Sequence, residues 1–277
     1  MTTVLVMGVL GKTGRQVAAG LRRNADVVVR GTSRTPRGDT LVRLDWDDPA
    51  TWPPALAGAD AIYLLRPAID AAGTIGAFLA SAAQARRVVL LSEIDAGSRG
   101  EATWERQAEA AVEDSTLEWT ILRPNWFMQN FSDPSFYLEA IRDAGELELP
   151  SGTGATSLVD TRDIGEVAAA CLLDPGHAGR VYSLTGSEAF TWGQIARALA
   201  DAAGHDVRHR NTSLSAYLTA AAARRASPAK LAYYNRVYSA VQEGRTAVVS
   251  PDVEAVTGHS PRSFADFLAE NSQVWHR

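Results

Sequence analysis

Cysteine, lysine and long apolar segments are all scarce in this chain of 277 residues. The single cysteine, Cys171, excludes an internal disulfide, and no apolar run approaches the ~18 residues of a membrane-spanning helix. The net charge of −5 disfavours a nucleic-acid partner, because proteins that bind nucleic acids carry a basic face. No apolar leader follows a basic start, which predicts a cytoplasmic protein. These absences predict a globular protein that binds neither nucleic acid nor a membrane.

The most specific motif is a turn with three glycines spaced three residues apart. It follows the apolar run at residues 4–6 and leads directly into a helical pattern. In a nucleotide-binding βαβ unit the first glycine permits the tight turn, the second lets the backbone approach a pyrophosphate, and the third packs helix against strand. A P-loop is excluded, because it requires a glycine where Val6 stands. The predicted phosphate contacts are Gly8, Gly11, Lys12, Thr13 and Gly14.

Apolar runs and helical patterns alternate through the first half of the chain. Alternation with short connections predicts an α/β fold, a doubly wound parallel sheet of the Rossmann type. Residues 1–150 are predicted to form the dinucleotide-binding domain, with the last sheet strands from 156–185. Residues 186–277 are predicted to form a smaller, mostly helical substrate-binding region, to which 126–155 contribute. The predicted strands are 4–6, 27–30, 40–45, 61–65, 87–92 and 119–123, and the first predicted helices after the turn are 72–83 and 103–112.

The C-terminal part carries clear helix signals. Thr191 and Gln194 have the spacing of a capping box, and Gly204 stands where that helix is predicted to end. A final helix is predicted to open at Ser260 and to direct Phe264 inward. Cys171 lies in an apolar helical stripe and is predicted to be a core residue.

The end of the second strand favours NADP over NAD. An NAD site places Asp or Glu there to bond the ribose hydroxyls, but no acid occurs before Asp39. Arg34 and Arg37 can instead clamp a 2′-phosphate with paired, charge-assisted bonds, helped by the hydroxyl of Ser33. The alternative is a solvated basic loop. Ends of later strands supply the other predicted cofactor contacts, which are Asp45 and Trp46 on the adenine side and Leu65, Arg66 and Ser92 near the nicotinamide ribose.

Three segments resemble the NmrA-like group of atypical short-chain dehydrogenases/reductases. They are the glycine turn at 8–14, the segment 118–131 around its T-I-L-R-P strand, and the segment 158–168 with its D-x-R-D-I pattern. The resemblance extends from Thr3 to about Gly204 and is loose beyond. It implies NADP(H) as cofactor and, in many members, flat conjugated substrates. Other members only sense the nucleotide.

The Tyr–Lys pair that short-chain dehydrogenases use to exchange a proton with a carbonyl oxygen is missing. There is no tyrosine between Tyr63 and Tyr137 and no lysine between Lys12 and Lys230. Simple ketone reduction through that relay is therefore disfavoured. An acceptor such as a quinone or extended enone needs less help, because hydride arrival produces an already stabilised anion.

Only weak acid candidates remain, namely Tyr137, Ser92 and Glu105. Tyr137 lies in an aromatic segment and Ser92 at the end of a strand. Glu105 and Glu109 are four residues apart on one predicted helix, where a solvated face is the expected explanation. No metal site is predicted.

An aromatic-rich segment follows the sixth strand and predicts a wall for a flat ligand, although core packing is the alternative for each ring. The sequence thus predicts an NADPH-dependent reductase of a planar conjugated carbonyl or quinone, acting as a monomer or homodimer. The alternatives are an NADP-sensing regulatory protein without turnover and a redox-silent cyclase or isomerase. The predicted substrate-pocket residues are Trp104, Asn125, Trp126, Phe127, Phe131 and Tyr137.

Overall fold

The computed structural model describes residues 1–38, 41–67 and 71–277. Thr40, where the third strand was predicted to begin, and Asp39 lie outside these residues. The chain divides into two compact units. The first comprises Met1–Pro124, Thr161–Leu184 and Asp252–His259, and the second Asn125–Asp160, Thr185–Pro251 and Ser260–Arg277.

The described residues form twelve strands and ten α-helices. The strands are β1 (Thr2–Val6), β2 (Val27–Ser33), β3 (Leu41–Arg43), β4 (Ala61–Leu65), β5 (Arg87–Leu91), β6 (Glu118–Pro124), β7 (Trp126–Phe127), β8 (Glu146–Leu149), β9 (Ala155–Val159), β10 (Arg180–Leu184), β11 (Ala189–Thr191) and β12 (Arg208–Asn211). The helices are α1 (Gly14–Leu21), α2 (Trp52–Leu56), α3 (Ala71–Ala80), α4 (Trp104–Glu113), α5 (Thr161–Leu173), α6 (Trp192–Ala203), α7 (Leu214–Ala223), α8 (Pro228–Gln242), α9 (Asp252–Thr257) and α10 (Phe264–Asn271).

The first unit is built on a seven-stranded sheet in the order β10-β6-β5-β4-β1-β2-β3. All of its strand pairs are parallel. The strand order reverses between β1 and β4, and ligands of such sheets bind outside the carboxyl ends of the strands at this switch point. The predicted fold class, a doubly wound parallel sheet followed by a mostly helical C-terminal region, is confirmed.

Both faces are largely buried along the central strands β1, β4 and β5, as their continuous apolar runs require. Helices α3 and α4 pack together on one core, to which Leu64, Phe78 and Val112 contribute. Helices α1 and α5 pack closely against each other through glycines. A Cβ on Gly165 would lie 2.6 Å from the backbone of Gln16, so only glycine allows this approach. Cys171 is buried in α5, as predicted.

The second unit has a three-stranded sheet, β11-β9-β7, and a two-stranded sheet, β12-β8. From the segment 156–185, β10 joins the seven-stranded sheet, whereas β9 lies in the second unit between β7 and β11. The core of this unit is rich in aromatic side chains, and its largest fully buried side chains are Trp192, Trp275, Phe131 and Phe267.

Local helix signals in the second unit are largely confirmed. Thr191 and Gln194 form both bonds of the capping box, and Gly204 ends α6 with a φ of 69°. The final helix begins later than predicted, at Phe264, because the side chain of Ser263 accepts the backbone N–H of Asp266 and caps it there. Phe264 is directed inward, as predicted.

Candidate functional site

The glycine turn has a geometry that side chains would disrupt. Gly8 has a φ of 58°, in the left-handed region that favours glycine, and a Cβ there would lie 2.5 Å from Leu65 Cδ1 at the end of β4. The N–H of Gly11 donates to the carbonyl oxygen of Gly8 at 2.7 Å. A Cβ on Gly14 would lie 2.2 Å from that same oxygen. Gly8 and Gly14 are therefore required by the turn itself, and the turn is compatible with a dinucleotide.

Helix α1 begins directly behind this turn and directs its first backbone N–H groups toward it. No acidic residue stands in its first turn, and the side chain of Thr13 does not cap it. Gly11 is exposed, Lys12 is half-buried, and Leu10 is 73% exposed. The positive end of the helix dipole suits a phosphate. The turn and α1 together offer an anion-binding cradle.

Two arginines follow the end of β2. Gly31 must be glycine, because a Cβ there would lie 2.6 Å from Val9 Cγ1. Ser33 ends the strand half-buried, and its hydroxyl accepts the N–H of Thr35 at 3.2 Å. Arg34 and Arg37 are exposed, and neither guanidinium meets an acceptor among the residues that the structure describes. Both remain available to a ligand phosphate.

The residues predicted on the adenine side are tied to the core of the first unit. The backbone carbonyl of Asp45 accepts the indole N–H of Trp52 at 2.9 Å. Trp46 packs edge-on against Phe78, with ring centroids 5.1 Å apart, and against Trp52 at 6.0 Å. Both predicted residues thus have structural contacts, and their adenine contacts stay a prediction.

A cluster of buried and half-buried charges lies at the carboxyl ends of β4, β5 and β6, and we call it the ion network. It draws on β6, α4 and the loops after β4 and β5, and the sequence analysis identified only part of it. Its members are Arg66, Glu93, Asp95, Arg99, Glu105, Arg106, Glu109, Glu113 and Arg123.

The expectation that Glu105 and Glu109 form a solvated face is wrong, since both side chains are fully buried. Their helix buries Glu105, Ala108, Glu109 and Val112 at the spacing i, i+3, i+4, i+7. The apolar residues of this stripe, Ala108 and Val112, were the sequence signal that this face of the helix is buried. Their guanidinium partners could not be identified from the sequence, because the chain has many arginines and the contacts depend on tertiary structure.

Glu109 is surrounded by hydrogen-bond donors. Its Oε1 accepts Ser92 Oγ at 2.6 Å and Arg123 Nε at 2.8 Å. Its Oε2 accepts Arg123 Nη2 at 2.7 Å and Arg106 Nη1 at 3.0 Å. Burial alone would raise the pKa of Glu109, but these bonds lower it below the ordinary value of 4.5. Glu109 is therefore held as a carboxylate.

Glu105, a weak acid candidate, lies between two arginines. Its Oε1 accepts Arg66 Nη2 at 3.2 Å, and its Oε2 is 2.9 Å from Arg99 Nη1. Arg66 also donates to Glu93 at 3.0 Å. Both carboxylate oxygens thus face guanidinium groups, which can donate but not accept, and this arrangement favours a structural role for Glu105. The predicted cofactor contact Arg66 likewise has protein partners.

The ion network predicts a specific acid sensitivity. Because the pKa of Glu109 is lower in the folded state, its contribution to stability is present above pH 4.5 and is lost as the pH falls from 4.5 through the folded pKa. We expect the melting temperature to drop as the pH falls below about 4.5, and that of Glu109→Gln to drop less steeply from its own lower starting value. Calorimetric scans across this range measure both. Equal slopes in the two proteins would contradict the assignment of this sensitivity to Glu109.

Tyr137 lies in the second unit, stacked on Phe131 with centroids 5.6 Å apart and edge-on to Trp192 at 6.0 Å. Burial raises its pKa well above 10. A dyad lysine acts in the opposite direction, lowering the pKa of a tyrosine so that it can transfer its proton. These surroundings favour a packing role, and a catalytic role for Tyr137 stays a prediction.

The predicted substrate-pocket residues differ in their surroundings. Trp104 belongs to the first unit and the other five to the second. Asn125 is buried and donates to Ser157 Oγ at 2.6 Å and to the carbonyl of Thr246 at 2.8 Å, so it stabilises the loop in which it lies. Phe131 is fully buried in the aromatic core, whereas Phe127 is half-buried.

Trp126 combines an aromatic surface with a spare donor. Its ring is half-buried and packs edge-on against Trp192, with centroids 5.2 Å apart. Its indole N–H is buried and meets no acceptor among the described residues. A buried N–H without an acceptor destabilises the folded state, because it has lost its hydrogen bonds to water. Trp126 therefore suits a ligand oxygen better than the other predicted pocket residues do.

One further cluster has the ligand types of a metal site. Ligand atoms of Asp163, Glu166 and His259 lie within 4.8 Å of one another. Glu166 already accepts Arg23 Nη1 at 3.0 Å and lies 2.7 Å from His259 Nε2. The arginine supplies the positive charge that a cation would bring, so we assign no metal to this cluster. Separately, none of the helices in the described part of the chain has the length and hydropathy that a membrane span requires.

Comparison with known proteins identifies relatives that match nearly the whole chain. A model of the family described as NAD(P)H-binding matches residues 8–175. An NAD(P)H azoreductase from Xenophilus azovorans is 30% identical over 285 residues, covering 98% of this chain and 99% of that protein. A (4-alkanoyl-5-oxo-2,5-dihydrofuran-3-yl)methyl phosphate reductase from Streptomyces griseus is 31% identical, with 98% and 99% covered.

The fold is also similar to that of solved structures. The NADPH-dependent quinone oxidoreductase from Escherichia coli, determined in complex with NADPH, superposes with a TM-score of 0.81. The two chains are 22% identical, and the comparison covers 97% of this chain and 99% of that one.

Proposed function

The chain belongs to the NAD(P)H-binding family, as an oxidoreductase of the atypical short-chain dehydrogenase type, and on that premise we propose that it uses NADPH to reduce a planar conjugated carbonyl or quinone. The observation that carries the choice of NADPH is the pair Arg34 and Arg37, exposed and without acceptors among the described residues, at the end of β2. The NADPH in the quinone oxidoreductase from Escherichia coli supports the same choice.

The cradle behind β1 would hold the pyrophosphate. Gly8 and Gly14 keep the turn narrow, and the positive end of the α1 dipole would face the phosphate oxygens. Arg34 and Arg37 would pair with the 2′-phosphate, and Ser33 would add a hydroxyl. When bound, the nicotinamide supplies a hydride.

The proposed substrate class follows from what the chain lacks and from its relatives. A quinone takes one hydride and one proton to give a hydroquinone, and the charge after hydride addition is spread over the conjugated system. Such a reaction needs orientation and a dry pocket more than a strong acid. The relatives act, by their names, on azo compounds and quinones. In the second unit, Trp126 offers a ring and a buried indole N–H to a flat ligand.

A second candidate function is an NADP-sensing protein without turnover. The ion network favours it, because Glu105 and Glu109 face guanidinium groups and neither is poised to give a proton. The two functions share the nucleotide site and differ in whether NADPH is consumed.

Replacing Arg34 tests the cofactor assignment. Arg34→Ala is expected to weaken NADPH binding by about 1–3 kcal/mol, the value of a charge-assisted bond, and to leave NADH binding nearly unchanged. Calorimetric titration with both nucleotides measures this difference. Arg22→Ala is a matched control, because Arg22 is exposed and lies at the other end of α1. Equal losses of affinity for NADPH and NADH would contradict the assignment of the 2′-phosphate to Arg34.

A further inference from the structure

Ser92 stands at the carboxyl edge of the sheet, directly after β5. Its backbone N–H donates to the carbonyl of Leu122 at 2.7 Å, which extends the pairing of β5 with β6 by one residue. Its side chain is buried, with 6% of the residue exposed. Ligands of parallel α/β sheets bind outside this edge, so the hydroxyl lies where ligand atoms are expected.

The direction of the hydrogen bond between Ser92 and Glu109 is fixed by the other partners of Glu109. Arg123 and Arg106 donate three bonds to this carboxylate, and a guanidinium group cannot accept. With the carboxylate ionised, the 2.6 Å contact has one possible donor, which is Ser92 Oγ.

A serine hydroxyl has one proton and two acceptor positions. The proton of Ser92 is committed to Glu109, which leaves only the lone pairs of Oγ for a ligand. No donor among the residues that the structure describes is directed at this oxygen. Toward a ligand Ser92 can therefore only accept a hydrogen bond, whereas an acid would have to donate one.

We propose that Ser92 is an acceptor for a hydrogen-bond donor of the bound ligand, and that Glu109 is the positioning residue that sets this polarity. The inference rests on the proposed function, since it requires a ligand at this edge. Two donors fit the chemistry, namely the carboxamide N–H of the nicotinamide and a hydroxyl of the reduced product. In either case Ser92 orients the ligand and does not protonate it, which replaces its prediction as a weak acid candidate.

Binding measurements with matched nucleotides separate the two sources. The thionicotinamide analogue of NADPH keeps the amide N–H, whereas the 3-acetylpyridine analogue has a methyl ketone and no donor. If the carboxamide is the donor, Ser92→Ala is expected to weaken NADPH and the thionicotinamide analogue about three- to tenfold and the acetylpyridine analogue less than about twofold. In the second arm, a hydroquinone and its dimethyl ether are titrated against the complex with NADP. Selective loss of hydroquinone binding in Ser92→Ala identifies the product hydroxyl.

Two variants serve as controls. Ser92→Thr keeps the hydroxyl and is expected to retain the selectivity. Ser81→Ala removes an exposed serine hydroxyl that donates within the end of α3, and it should change none of the affinities.

Selective loss in either arm supports the assignment. An equal loss for ligands with and without a donor, or no loss in either arm, overturns it and leaves the proposed function intact if the unsubstituted protein binds NADPH. If the unsubstituted protein binds none of the nucleotides, the proposed function fails and this assignment with it.

Discussion

Glu109→Ala is expected to lower the free energy of unfolding by about 3–5 kcal/mol. Glu109 is fully buried and accepts four hydrogen bonds, three of them from Arg123 and Arg106. Truncation to alanine leaves Arg123 half-buried without a carboxylate partner among the described residues, whereas Arg106 keeps Glu113. The cost comes from stranding one side of a buried pair and does not measure the net worth of the pair.

A urea titration followed by circular dichroism measures this loss. Glu101→Ala is the matched control, because Glu101 also pairs with Arg106, at 3.3 Å, but its side chain is 83% exposed. The control is expected to change the free energy of unfolding by less than about 1 kcal/mol. If the two variants were equally stable, the ion network would not be a structural element of the fold.

Gly14→Ala is expected to weaken the binding of NADPH and NADH alike, by about a hundredfold. The added Cβ would lie 2.2 Å from the carbonyl oxygen of Gly8 and 2.8 Å from that of Met7. Because both atoms belong to the backbone, α1 and the turn must separate by roughly 1 Å. A shift of this size misaligns the N–H groups that would hold the pyrophosphate, and each charge-assisted bond lost costs about 1.5–3 kcal/mol.

Gly76→Ala is the control for this substitution. Gly76 lies in α3, and a Cβ there would meet nothing within 4 Å. It is expected to bind both nucleotides normally and to be more stable by about 0.5–1 kcal/mol, since alanine favours a helix interior over glycine. Calorimetric titration of both variants with both nucleotides measures the difference. A Gly14→Ala protein with normal affinity would show that the turn does not hold the cofactor.

The parts of the structure that the sequence predicted well depend on short-range patterns. The turn around Gly8, the apolar runs of strands such as β4 and the capping box at Thr191 each follow from residues only a few positions apart. Their physical causes are local, namely backbone conformation, apolar periodicity and the capping of N–H groups. The fold class and the glycine turn could therefore be predicted before any tertiary contact was known.

The ion network could not be predicted in this way. Glu109 and Arg123 are fourteen positions apart, and they meet only because β6 pairs with β5 beside α4. An i, i+4 pair of glutamates in a helix is more commonly solvated, so the burial of Glu105 contradicts the ordinary pattern. The position of β9 was hidden for the same reason, because strand partners are set by tertiary contacts.

The most direct test of the proposed reductase is to follow NADPH and NADH oxidation by the purified protein with a panel of quinones, enones and azo dyes. We expect NADPH to be consumed with at least one quinone or enone, with kcat/KM at least about tenfold higher than for NADH, as paired phosphate–arginine bonds imply. Arg34→Ala is expected to slow the oxidation of NADPH and to leave the oxidation of NADH unchanged. Tight binding of NADPH with no oxidation by any acceptor would contradict the proposed function and favour a nucleotide sensor.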